Sequence, residues 1–270
     1  MQDSLFTYSA NISTMFTEYA LLDRPKAAAA AGFDHIEMWW PFEVPAAEQE
    51  QVIAVEKAIE QAGVALTGLN FYAGNMAGGE RGVASHPDRI DQLQANTVQV
   101  LQFARATGCR LFNLLYGQRD PRWTPREQDA TAIGAIRAAA TAVAPLGGTV
   151  LLEPLARGLN GDYPFTHPEP VIELLAGPLA ELDNVRLLFD VFHLGSNGFD
   201  VVGGVADVAP WVGHVQIADA PGRGEPGSGT LPIRESLQAL HNAGYAGVVG
   251  CEYQPTGRTE DSLGWLTAAA

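Results

Sequence analysis

The chain has 270 residues, 47% of them hydrophobic, with 16 Lys+Arg against 31 Asp+Glu and a net charge of −15. That length and apolar content suit a large packed core and exclude a disordered chain. The acid excess argues against a nucleic-acid partner, which needs a basic footprint.

Apolar strands alternate with Ala-rich helical segments along the whole chain. Phe6–Ile12 reads as the first strand, and Asp23–Ala31 as a helix capped by Asp23 and stopped by Gly32. His35–Met38 is the second strand, Pro45–Ala62 a helix ended by Gly63, and Val64–Asn70 the third strand. A Gly-rich loop over Phe71–Ser85 leads to a helix over His86–Thr107, stopped by Gly108. Arg110–Leu115, Thr149–Glu153, Val185–Asp190, Val212–Gln216 and Gly247–Glu252 are strands four to eight. Helices are expected over Thr124–Val143, Pro168–Leu175, Val201–Ala209, Leu231–Ala243 and Thr259–Ala268. Eight strand–helix units predict one domain over residues 1–270, a closed (β/α)₈ TIM barrel. An open doubly wound sheet is the competing architecture, but it usually has fewer strands, and no Gly-rich phosphate turn follows the first strand. No apolar stretch reaches the ~20 residues of a membrane span, and no basic-then-apolar leader opens the chain. Cys109 and Cys251 alone form neither a disulfide framework nor a zinc motif. A cytoplasmic protein without a membrane partner is the expectation.

Polar oxygens end the last four strands: Glu153 before Pro154, Asp190 before Val-Phe-His193, Gln216, and Glu252. Each is about one strand–helix unit from the next, so a closed barrel would bring all four to its C-terminal mouth, where such barrels carry their sites. Buried carboxylates in a ring need a cation or bound protons. Three carboxylates and an amide oxygen form a hard ligand set, suited to Mg²⁺ or Mn²⁺ rather than Zn²⁺. The competing reading of any one of these residues is a helix cap or an Arg partner. His193 is placed to donate to a substrate oxygen, with plain packing as the alternative. Arg223 is placed to pair with a substrate carboxylate, or else with Glu225 on the surface. Arg81 and Asn70 are further candidates for substrate binding, and Trp39, Trp40, Pro41 and Tyr72 for a pocket wall. The chemistry-bearing loops should be Phe71–Ser85, Leu155–His167 and Ala218–Leu231. Two Glu residues beside one ion suit proton transfer at a carbon next to a carbonyl, as in aldose–ketose isomerisation or epimerisation.

The chain resembles the hydroxypyruvate isomerase family, within the xylose-isomerase-like barrels. The likeness is carried by Tyr8-Ser-Ala-Asn-Ile-Ser13, Ala77-Gly-Gly-Glu-Arg-Gly82, Leu152-Glu-Pro154, Phe189-Asp190 with His193, and His214-Val-Gln-Ile-Ala-Asp219. Its most specific segments are Arg223-Gly-Glu-Pro-Gly227 and Gly250-Cys-Glu-Tyr253 with Pro255. Sugar epimerases of the same superfamily usually carry His at the position of Gln216. The resemblance implies interconversion of hydroxypyruvate and tartronate semialdehyde without a redox cofactor, nicotinamide and flavin included, in glyoxylate metabolism. It implies an acid/base pair at Glu153 and Glu252, and a divalent ion on Glu153, Asp190, Gln216 and Glu252. Some members act on 2-oxo-tetronates. Some also carry His before the Asn that matches Asn70, where this chain has Leu69, so the choice among small hydroxy and oxo acids stays open. A ketose 3-epimerase and a non-catalytic sugar-acid-binding barrel are the other readings. A DNA-repair endonuclease would need a His-rich site, and the chain has six scattered His. The oligomeric state, a homo-oligomer included, is left open.

Overall fold

A computed structural model describes residues 5–268. Eight parallel strands close into a barrel in chain order. They are β1 (Tyr8–Asn11), β2 (His35–Met38), β3 (Ala65–Asn70), β4 (Leu111–Asn113), β5 (Thr149–Leu152), β6 (Val185–Asp190), β7 (Val212–Ile217) and β8 (Val249–Cys251). The helices are α1 (Arg24–Ala30), α2 (Gln49–Ala62), α3 (Ile90–Thr107), α4 (Pro125–Val143), α5 (Pro168–Ala176), α6 (Val191–Ser196), α7 (Val205–Val208), α8 (Ile233–Asn242) and α9 (Gly264–Ala268). Among the described residues, no helix is long and apolar enough to cross a membrane.

Local chemistry accounts for several helix boundaries. Gly63 and Gly108 end α2 and α3 in the left-handed conformation, at φ of 71° and 77°, which glycine adopts without a Cβ clash. Thr124 and Glu127 form a reciprocal capping box at the start of α4. Asp23 does not cap α1 through its side chain; it sits in a 3₁₀ turn that runs into the helix.

Several segments depart from the sequence reading, among them the helix expected over Thr259–Ala268, which is a 3₁₀ turn over Thr259–Leu263 followed by the five residues of α9. The helix expected over 201–209 is confined to the four residues of α7. A helix not foreseen, α6, begins directly after Asp190 because the Asp190 carboxylate accepts from the backbone N–H of Phe192 and His193. β7 runs one residue past Gln216, so Gln216 lies inside the strand, level with Asp190 on β6 and Gly250 on β8.

Alternation along each strand divides the residues between two layers. Ile36 and Met38 join the hydrophobic core, while Glu37 between them meets His214 at 2.8 Å. Strands β2 and β7 are separated by β8 and β1 around the barrel, so that contact crosses the lumen. The upper lumen is therefore polar, and it forms the floor of the site.

Candidate active site

Glu153 directly follows β5, Asp190 ends β6, Gln216 lies near the end of β7, and Glu252 directly follows β8. All four are buried, with at most 4% exposure. Three of them carry a side-chain oxygen with no hydrogen-bond partner: Glu153 Oε1, Asp190 Oδ2 and Gln216 Oε1. Buried polar atoms are nearly always paired, so unpaired oxygens gathered at one barrel mouth call for a partner such as a water or an ion. The second polar atom of each side chain is fixed. Asn113 donates to Glu153 Oε2 at 2.7 Å, Asp190 Oδ1 caps α6, and Gln216 Nε2 donates to Glu37 Oε1 at 2.7 Å. Cap and ligand are thus not alternatives for Asp190, which has one oxygen for each.

Glu252 is different, because both its oxygens are occupied. Oε1 accepts from Asn11 Nδ2 at 2.9 Å and from Trp39 Nε1 at 2.5 Å, and Oε2 accepts from Arg223. The Arg223 Nη2 also lies 3.6 Å from Asp190 Oδ2, and the guanidinium stacks on the Phe192 ring at 5.3 Å. Arg223 therefore does not pair with Glu225, which instead accepts from the backbone N–H and hydroxyl of Thr256. Its loop is organised by Asp219, whose carboxylate accepts from the N–H groups of Ala220, Gly227, Gly229 and Leu231. Arg223 itself holds a left-handed φ of 57°, a conformation a long side chain keeps only when its surroundings enforce it.

Three buried acids share one guanidinium, and their acidity shows the excess. Burial first, then the charges of Glu252 and Asp190, push the Glu153 carboxyl well above its ordinary range. Burial raises Glu252 to about 7 against the opposing pull of Arg223. Asp190 is also raised by burial, with Arg223 opposing.

His193 projects from α6 between these acids. Its Nδ1 accepts from the Ala156 N–H at 2.9 Å, so in the neutral ring the proton sits on Nε2. Burial, and then the positive charges of Arg223 and Arg81, hold its pKa well below 6.5, which keeps the ring neutral. Nε2 lies 3.6 Å from Glu153 Oε1 and 3.7 Å from Asp190 Oδ2, beyond hydrogen-bond range. Glu153, Asp190 and His193 are close enough to share one ion, yet Nε2 cannot ligate while it carries that proton. The tautomer makes His193 a donor facing the cavity.

Above this floor lies a cavity of about 280 Å³, lined by Trp39, Asn70, Arg81, Leu155, Asn160 and Met76 among others. Each of the three expected loops contributes a wall. Arg81 Nε donates to Asn160 Oδ1 at 2.9 Å, and its Nη1 to the Met76 and Glu80 carbonyls, so two of the loops are tied together. Asn70 lines the cavity as expected. Trp40, Pro41 and Tyr72 line instead a neighbouring cleft of about 490 Å³, which meets the first at Trp39, Met76 and Ala77. Of the sequence-selected residues, Glu153, Glu252, His193, Arg223, Asn70 and Arg81 all line the one cavity. Asp190 and Gln216 are not among the lining residues; Asp190 approaches the lining His193 at 3.7 Å, and Gln216 is level with Asp190 on the next strand. The supporting residues Asn11, Glu37, Asn113 and Asn160 were not foreseen. The available signal was a lone polar residue inside an apolar strand, as in Ile36-Glu37-Met38 and Phe112-Asn113-Leu114.

The sequence matches the family model of the xylose isomerase-like TIM barrel over residues 25–269. A Streptomyces coelicolor protein named "Putative hydroxypyruvate isomerase" is 42% identical, covering 97% of this chain and 96% of the relative. The 2-oxo-tetronate isomerase of Pectobacterium atrosepticum is 34% identical, covering 96% and 95%. A Brucella melitensis crystal structure described as AP endonuclease, family 2, superposes with a TM-score of 0.86 at 30% identity, covering 97% and 98%. The chain belongs to the xylose isomerase-like TIM barrel family and, within it, to the hydroxypyruvate isomerase-like isomerases.

Proposed function

We propose that this isomerase interconverts hydroxypyruvate and tartronate semialdehyde, or a close relative, by moving a proton between adjacent carbons with a divalent ion bound. The observation that carries the reading is the trio of open buried oxygens on Glu153, Asp190 and Gln216 beneath a small cavity. Hard oxygen donors with an excess of negative charge suit Mg²⁺ or Mn²⁺. Glu153, Asp190 and Gln216 would hold the ion. Glu252 is the ligand the present arrangement does not offer, since Arg223 and Trp39 occupy it. When bound, the ion would supply Lewis acidity to a substrate carbonyl and hydroxyl.

The chain's own groups do the rest. Glu153 and Glu252 line the same cavity, and they form the acid/base pair. One accepts the proton from the hydroxymethyl carbon, and the other delivers one to the former carbonyl carbon. The hydroxyl proton passes between the two substrate oxygens, with His193 Nε2–H donating to the one that bears charge. A carboxyl near pH 7, as Glu252 is, both takes and returns protons readily at neutral pH. Arg81 and Arg223 provide the positive wall for a substrate carboxylate. A cavity of about 280 Å³ falls just below the ~300–1,000 Å³ of ligand pockets, which favours a substrate of few atoms.

A four-carbon substrate of the 2-oxo-tetronate type is the second reading. The open cleft beyond Trp39 and Met76 favours it by giving a longer chain room. The net charge of −15, and a cluster of two acids with one His in place of a His-rich one, support a small acid over nucleic acid as substrate. Incubation with hydroxypyruvate and with a 2-oxo-tetronate, each with and without chelator, tests these readings. Turnover of one or both that chelator abolishes is expected. Chelator-resistant turnover would remove the ion from the account, and no turnover of either acid would remove the substrate assignment.

A further inference from the structure

Glu37 is buried in the barrel lumen and lines none of the cavity at its mouth. Its carboxylate accepts three side-chain hydrogen bonds. Oε1 takes Gln216 Nε2 at 2.7 Å and Asn11 Nδ2 at 3.2 Å, and Oε2 takes His214 Nε2 at 2.8 Å. Space for it is provided by Gly250, level with Gln216 on the next strand, where a Cβ would fall 2.4 Å from Glu37 Oε1. A side chain at position 250 would force the Glu37 carboxylate to shift.

An ionised carboxylate only accepts, so it discriminates between the two ends of a neighbouring amide. With Nε2 facing Glu37, the Gln216 Oε1 is left free, and it is one of the three open oxygens of the site. A flipped amide would oppose carbonyl to carboxylate and turn N–H donors toward the ion position. Asn11 is held in the same way. Its Nδ2 serves both Glu37 and Glu252, while its Oδ1 accepts from the Ser13 N–H at 3.0 Å.

We infer that Glu37 is a positioning residue that fixes the sense of the Gln216 amide, so that this chain presents an oxygen, not N–H donors, to a divalent ion. The inference rests on the ion-binding reading above and deepens it. Glutamine at position 37 can offer either end of its own amide, so the constraint on Gln216 is lost with little change in volume.

The test is a calorimetric Mn²⁺ titration of chelator-stripped protein as wild type, Glu37→Gln, Gln216→Met and the double variant. Glu37→Gln should weaken Mn²⁺ binding about tenfold, the equivalent of one misplaced hydrogen bond. In the Gln216→Met background the same change should shift Kd by less than about twofold, since coupled sites are non-additive. Equal losses in both backgrounds, or full affinity in Glu37→Gln, overturn the inference. A second measurement needs neither metal nor a change at Glu37. By NMR, the side-chain NH₂ of Gln216, assigned by its disappearance in Gln216→Met, should exchange slowly in metal-free wild type. Fast exchange overturns the inference. Wild type that binds no Mn²⁺ defeats the ion-binding reading, while the NH₂ measurement still decides the orientation of Gln216.

Discussion

Arg223 reaches from the loop after β7 to the carboxylate of Glu252, the residue directly after β8. The contact brings one guanidinium into a pocket with three buried acids, and the same side chain lies 3.6 Å from Asp190. It partly neutralises the floor and forms part of the cavity wall.

Replacing Arg223 should therefore do two separable things. Arg223→Ala should lower kcat/KM for a carboxylate substrate about a hundredfold, the loss expected for a buried charged hydrogen bond. A neutral ketose, if turned over at all, should suffer less. Equal loss on both would place the role of Arg223 in holding Glu252 rather than in binding substrate. Steady-state kinetics on the two substrates makes the distinction.

His193 separates a donor from a ligand. His193→Leu leaves the Ala156 N–H without its acceptor, which should destabilise the protein by about 1–3 kcal/mol. Turnover should fall by about ten- to a hundredfold, because a donor to the substrate oxygen is gone. Mn²⁺ affinity should stay within about threefold of wild type, since the protonated Nε2 is no ligand. A much larger loss of affinity would show that the ring binds the ion.

The buried carboxyls predict a pH dependence of stability. Glu252 is raised on folding from its ordinary 4.5 to about 7. A carboxyl with a raised folded-state pKa takes up protons on folding. Its contribution is fully present below pH ~4.5 and is lost as the pH rises through ~7. Metal-free protein should lose on the order of 3 kcal/mol across that window from this group. Glu153, raised by the same causes, acts in the same direction. Thermal melts in chelator should show Tm falling from about pH 5 to about pH 7.5, by roughly 2–4 °C per kcal/mol. Glu252→Gln should flatten the fall, and Mn²⁺ should restore much of it at the upper end. A Tm that rises over this range in chelator would contradict the charge balance described for the site.

The barrel and the floor of its site are legible in the sequence for one physical reason. A buried parallel strand is a short apolar run, and an acid at its end stands out against Leu, Val and Phe. Glu153, Asp190 and Glu252 are visible in that way, and Gln216 by position. Loop residues were found through chemistry and resemblance: Arg223 and Arg81 lie among glycines. What stayed hidden depends on distance across the lumen. Nothing local in Ile36-Glu37-Met38 says that Glu37 meets His214, which lies 177 residues away. The occupation of Glu252 by Arg223 and Trp39 was equally hidden, because it depends on how a loop pinned by Asp219 folds back. The short α6 is hidden because nothing local distinguishes Asp190 as cap from Asp190 as ligand; the two readings look exclusive in the sequence, and the structure gives each its own oxygen.

In the proposed reaction Glu153 and Glu252 move a carbon-bound proton above a floor of open oxygens. The most direct test is ¹H NMR of hydroxypyruvate in D₂O with the Mg²⁺-supplemented protein and its Glu153→Gln and Glu252→Gln variants. Wild type should wash solvent deuterium into the substrate carbons, and each variant should do so about a thousandfold more slowly with Tm unimpaired. Deuterium wash-in at the wild-type rate in either variant would contradict the claim.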